Sequence, residues 1–133
     1  IKKAMKKIKK KTIDVMLWHQ GEQDGWTRSD LDLEEFYRSA LTKVIDQYRS
    51  EEFSDNNMPF IVGETSGAYN GINKGWEARN PQLNELNHDA DPNTKCVYLS
   101  DLSTTIDNVH FSSKTQRLMG LLYFKAFRES FFI

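Results

Sequence analysis

An α/β fold with a parallel sheet is what this chain of 133 residues predicts, on three observations. Short apolar runs rich in β-formers, Ile13 to Trp18, Phe60 to Val62 and Cys96 to Leu99, alternate with longer stretches whose apolar residues recur at helical spacing. Each run stops abruptly in a polar loop. Helix, strand, helix, strand, helix, strand, helix is the order that parallel strands joined by right-handed crossovers produce.

The opening element is a helix, because Ile1, Ala4, Met5 and Ile8 recur at i, i+3, i+4 and i+7. Nothing before Ile1 serves as an N-cap, so this helix reads as an element entered part way. Its lysines form the wet side of a helix expected to pack on the domain. The strand from Ile13 to Trp18 runs into His19-Gln20-Gly21-Glu22-Gln23-Asp24. A long amphipathic helix follows from Ser29 or Asp30 to about Ser50, with Leu33, Phe36, Tyr37, Ala40, Leu41, Val44, Ile45 and Tyr48 on one stripe. Pro59 opens the second strand, which ends in Gly63-Glu64-Thr65-Ser66-Gly67. Asn70 to Asp91 is polar and rich in asparagine, with room for one irregular helix. The third strand leads to Asp107-Asn108-Val109-His110, and the last helix opens on a capping box, Ser113 with Gln116, with Leu118, Leu121, Leu122, Ala126 and Phe127 inward.

Composition bounds what such a chain does. With 38% hydrophobic residues there is apolar material for one core, hence one domain over residues 1–133. No stretch approaches the roughly 18 consecutive apolar residues of a membrane span, and no leader pattern opens the chain, so no membrane partner is expected. The lone Cys96 excludes an internal disulfide and sits in an apolar run as a small core residue. Seven of the 18 basic residues precede any acid, which leaves 11 against 19 in the remainder, a net of −8. A basic opening can mean nucleic acid, but no aromatic residue is interleaved with these lysines, so no nucleic-acid partner is expected.

In parallel sheets ligands bind beyond the carboxyl ends of the strands, so the polar clusters after all three strands share one edge. Three strands also fall short of the usual five or six, so part of the sheet is expected to be missing from this chain. An Asp three residues before a His, in a loop ahead of a capped helix, lets the carboxylate fold back on the ring. That fixes the tautomer and lets the imidazole act as general base and then general acid for a serine.

Read together, His19-Gln20-Gly21-Glu22 after a central strand and Asp107-Asn108-Val109-His110 near the C-terminus resemble the late motifs of the SGNH hydrolases. Within them the likeness is to carbohydrate esterase family six and the sialate O-acetylesterase-like group, and with Pro59 to Glu64 it spans most of the chain. The resemblance implies a flavodoxin-like three-layer sheet flanked by helices, lacking its N-terminal strands here. It implies that His110 deprotonates the nucleophile while Asp107 and Glu22 orient and charge-stabilise it. It places Gln20, the Gly21 backbone and Gln23 beside the oxyanion site, where one preorganised donor is worth ~3 kcal/mol of barrier. Gln23 stands where broader SGNH enzymes carry asparagine, so the donor is open between Gln20 and Gln23. Trp26 and Glu64 fall among the substrate-binding positions.

The family's early G-Q-S or G-D-S block, which bears the nucleophile, does not occur in this sequence. Ser66 lacks the spacing of a nucleophile elbow and reads as pocket lining or turn chemistry. Two functions stay open. One is a serine-type ester hydrolase acting on acetylated carbohydrates, acetylxylan or sialate, without cofactor. The other is a non-catalytic remnant whose sugar pocket is lined by Trp18, Trp26, Tyr69 and Trp76. His19, His88 and His110 form no H-x-H or H-E-x-x-H arrangement, so no metal is expected. The strand from Ile13 to Trp18 is expected to present an unpaired edge for self-association. The family's habit implies export, to the periplasm or the cell exterior.

Overall fold

The structure, a computed structural model, describes residues 2–9, 12–22, 32–51, 54–66, 80–81, 83–88 and 90–131. Its elements are α1 (Lys2–Ile8), β1 (Met16–Trp18), α2 (Asp32–Arg49), β2 (Phe60–Gly63), β3 (Thr94–Val97) and α3 (Ser113–Phe131). The strands form one parallel sheet in the order β1-β2-β3, with Met16 opposite Phe60 and Phe60 opposite Thr94. This is the α/β class that the alternation of runs predicts.

β2 lies in the middle and all four of its residues are buried. A strand covered on both faces needs apolar side chains at every position, and Phe60-Ile61-Val62 supplies them. Phe60 and Val62 turn to one face, where Tyr37, Leu41 and Ile45 of α2 meet them together with Met58, Leu83, Leu86 and Cys96. Ile61 turns to the other face and joins Val97, Leu99, Phe111 and Tyr123 of α3. Helix, sheet, helix is therefore the layer order. Each fully buried side chain of this kind contributes about 1.5–3 kcal/mol by leaving water.

The elements differ from the sequence expectation in four places. β1 begins only at Met16, with Ile13 and Val15 packed against the two cores ahead of it. β3 covers Thr94–Val97 in place of Cys96 to Leu99, because the ladder from Phe60 starts opposite Thr94. In α1 Ala4 is exposed and Ile8 is 63% exposed, so of the stripe expected to pack on the domain these two face solvent while Met5 is half-buried, and Ile1 lies outside the described residues. α3 is rotated: Leu118 and Leu121 are exposed, while Thr115, Met119, Leu122, Tyr123, Ala126 and Phe127 lie inward. The rotation brings the Tyr123 hydroxyl to the carbonyl of Trp18, 2.9 Å away.

The α3 cap is also shifted by one residue. Ser112 is the N-cap, its Oγ accepting from the Thr115 N–H at 3.2 Å, and the Gln116 amide donates to the Phe111 carbonyl at 3.1 Å. Thr115 donates to the Ser103 carbonyl at 2.7 Å, which fastens the helix start to the loop after β3.

The asparagine-rich segment is helical at residues 80–81 and 83–85. Asn80, Asn84 and Asn87, at i, i+4 and i+7, share one face of it and reach the sheet as hydrogen-bonding groups. Asn80 pairs with Thr65, Asn84 with Glu64, and Asn87 with both the N–H and the carbonyl of Cys96. Cys96 is buried, and burial, then the neighbouring Glu64 charge, hold its thiol protonated far above the ordinary range. Since the strands are parallel, all three carboxyl ends open on one edge of the sheet.

Candidate active site

The turn after β3 builds itself. Thr104 bridges Phe111 in antiparallel fashion, the Thr105 N–H donates to the His110 carbonyl at 2.7 Å, and Asn108 takes the left-handed conformation at φ 59°. Asparagine tolerates that conformation better than other side chains do. Inside the turn Asp107 Oδ1 accepts from the N–H groups of Val109 and His110, each at 2.9 Å, and from the Thr105 hydroxyl at 2.7 Å. Oδ2 is left for the His110 ring, whose Nδ1 lies 2.6 Å away.

The electrostatics follow from this geometry. The bond to His110, then those from Thr105 and the two backbone N–H groups, hold the Asp107 carboxyl well below the usual carboxylate range. An ionised carboxylate only accepts, so Nδ1 carries the proton and Nε2 of neutral His110 presents a lone pair. The hydrogen bond to Asp107, its charge, and more weakly the charge of Glu22 raise the His110 pKa above the ordinary imidazole value.

His110 lines a cleft of about 230 Å³ with His19, Glu22, Val109, Phe111, Gln116 and Met119. Glu22 and His110 thus share the cleft, although the carboxylate bonded to the His110 ring is Asp107. Glu22 Oε1 lies 3.5 Å from His19 Nε2, and the His19 ring leans on Phe111 with centroids 5.7 Å apart. Burial lowers the His19 pKa, and the charge of Glu22 opposes that shift. His19, which carries no role of its own in the sequence motif, thus stands in the wall of the cleft.

The loop after β1 is pinned from both faces of the sheet. Tyr37 of α2 donates to the Gln20 carbonyl at 2.6 Å, and Tyr123 of α3 donates to the Trp18 carbonyl at 2.9 Å. Gly21 sits at φ 140°, and a Cβ there would meet the Tyr37 hydroxyl at 2.6 Å, so only glycine fits. The Gln20 side chain is exposed at the same edge. Neither tyrosine was legible as a site residue, yet both stand on inward stripes, where a buried phenol needs an acceptor.

Two expectations come out differently, those for Glu64 and Trp18, and the alternatives for Ser66 resolve to one. Glu64 is buried, with Oε1 accepting from Asn84 at 2.8 Å and Oε2 from the N–H groups of Leu99 at 2.8 Å and Ser100 at 2.9 Å. It braces the loop after β3 and is not among the residues lining the cleft, in place of the substrate-facing position expected. Trp18 packs on Phe60 against the core, with ring centroids 6.2 Å apart, and is not among the residues lining the described cleft. Ser66 is buried and donates to the Asn108 carbonyl at 3.1 Å, which is turn chemistry. Gln23, Trp26, Tyr69 and Trp76 lie outside the described residues. Among the described residues no group of three or more His, Cys, Asp or Glu is placed to hold a metal ion.

None of the curated proteins matches this chain. The X-ray structure of a protein from Arabidopsis thaliana is similar, at 27% identity and a TM-score of 0.68, over 90% of this chain and 45% of that one. The chain therefore spans a little under half of that protein's length. A family model described as carbohydrate esterase, sialic acid-specific acetylesterase, matches residues 1–129. A match over nearly the whole chain, on a parallel α/β sheet, is decisive: the chain belongs to the sialic acid-specific acetylesterase family of carbohydrate esterases.

Proposed function

We propose that this chain supplies the acid and base machinery of a carbohydrate O-acetylesterase of the SGNH type, acting on acetylated sugars of the sialate or acetylxylan kind. One observation carries the reading: the 2.6 Å bond between Asp107 Oδ2 and His110 Nδ1 beside an open cleft. Family membership supports ester hydrolysis as the reaction.

In this mechanism His110 Nε2 takes the proton of a serine hydroxyl as its oxygen attacks the acetyl carbonyl. Donors at the end of β1, the Gln20 side chain, the Gly21 N–H or Gln23, receive the negative charge that develops on the carbonyl oxygen. His110 then returns the proton to the sugar oxygen as the acyl bond breaks. Water, deprotonated by the same imidazole, releases acetate and restores the serine. Asp107 stays ionised throughout and holds the ring, and Glu22 adds negative charge across the cleft.

The nucleophile block is not in these 133 residues, so the chain alone is expected to form no acyl-enzyme. The test joins it to an upstream segment that carries a strand ending in a glycine-serine block. Release of acetate from an acetylated sugar, or from a small acetyl ester, is the expected result. If the joined protein binds such sugars without hydrolysing them, the reading as a non-catalytic sugar-binding remnant takes its place.

A further inference from the structure

Glu64, Thr65 and Ser66 are consecutive and polar, yet none is more than 2% exposed. Polar side chains are buried this completely when they hold specific partners. Between them these three tie the end of β2 to three other segments. Glu64 accepts from the Leu99 and Ser100 N–H groups, Thr65 pairs with Asn80, and Ser66 donates to the Asn108 carbonyl at 3.1 Å. The last of these reaches the catalytic turn. Residues 105–108 and 110 are exposed, so the turn's internal hydrogen bonds compete with water. Asn108 is moreover its left-handed residue. The Ser66 hydroxyl enters this exposed turn from the buried edge of the central strand.

We propose that Ser66 is a positioning residue for His110: its bond to the Asn108 carbonyl holds the 105–110 turn in the one conformation that keeps Asp107 against the imidazole. Glu64 is the anchor of the same clamp, since it fixes the chain just before Ser66 to the loop that leads into the turn. Asp107 and Glu22 are the charged groups that act on the His110 ring, and Ser66 works through the first of them. The inference builds on the reading of His110 as the base, but its test needs no activity.

The measurement is an NMR titration of the His110 and His19 imidazoles in the full chain. With Ser66 present, His110 titrates above the ordinary value of about 6.5 and its Nδ1 proton resonates far downfield. Ser66→Ala is expected to move the His110 midpoint back toward that value and to broaden or erase the downfield proton, with the His19 midpoint unmoved. Ser66→Thr, which keeps the hydroxyl, restores both signals. Ser66→Cys, nearly isosteric with a weaker donor, gives a smaller shift of the same sign and serves if Ser66→Ala does not fold. In an Asp107→Asn background, Ser66→Ala should add no further shift. An unmoved His110 midpoint in a folded Ser66→Ala or Ser66→Cys protein overturns the proposal, as does an equal shift in the Asp107→Asn background. Absence of esterase activity from the nucleophile-bearing protein, with the Ser66→Ala shift of the His110 midpoint still observed, would count against the proposed reaction and leave the clamp standing.

Discussion

Both carboxylate oxygens of Asp107 are committed to one turn, Oδ1 to three donors of the chain and Oδ2 to the His110 ring. This gives the pair a defined pH window. The His110 pKa is raised in the folded protein, so its share of stability is complete below about 6.5 and is lost as pH rises through the folded value. The Asp107 pKa is depressed, so its share is complete above the ordinary carboxylate value and is lost as pH falls through the folded one. Both describe one contact, strongest in mildly acidic solution and screened by the water around it. Catalysis needs the opposite state, with His110 neutral. In the nucleophile-bearing protein the acid limb of the kcat/KM profile is therefore expected to have its midpoint above 6.5. Asp107→Asn should shift that midpoint to lower pH while reducing kcat, because the ring gains neutrality and loses its orientation. A limb unmoved by Asp107→Asn would mean that Asp107 does not set the His110 pKa.

Among the elements, β1 is only three residues long, yet the loop after it carries half of the candidate site. Tyr37 and Tyr123 hold it by bonds to the Gln20 and Trp18 carbonyls from opposite layers. Burial above all, and beside it the Glu22 charge, raises the Tyr123 pKa, so this phenol stays a donor through the ordinary pH range. Tyr123→Phe and Tyr37→Phe should each cost about 1 kcal/mol in urea unfolding, the net worth of one hydrogen bond. Gly63→Ala should cost more than Tyr123→Phe, since a Cβ at Gly63 would overlap the Tyr123 hydroxyl and the Leu99 side chain. Equal stability of Tyr123→Phe and the wild type would remove Tyr123 from this role. Apolar runs made the strands legible in the sequence, and the 3.6-residue period made α2 and α3 legible. The rotation of α3 was not, because Leu118 and Leu121 offer as good a stripe as the true inward face. Only a partner 105 positions away, the Trp18 carbonyl, settles which face turns inward.

At the scale of the whole molecule, β1 has a hydrogen-bonded neighbour on one side only among the described residues. Leu17, at this edge, is 54% exposed. An apolar strand edge is a template for another chain. Sedimentation of the chain is expected to show concentration-dependent association, which Leu17→Lys should weaken. A wild-type chain that stays monomeric at high concentration would contradict that expectation. The Asp107–His110 pair was legible because both residues and their spacing lie in one short stretch. Glu64 was misplaced because its partners, Leu99 and Ser100, lie 35 and 36 residues away, and no local pattern records whether a carboxylate at a strand end faces a ligand or the protein.

What tests the proposed chemistry most directly is kcat/KM for acetate release in the nucleophile-bearing protein, with and without His110→Ala. Loss of the base from a serine and histidine unit removes most of what the unit contributes, so a fall of at least roughly 1,000-fold is expected, with the protein still folded. Acetate release at the wild-type rate without the His110 imidazole would contradict the mechanism and place the base elsewhere.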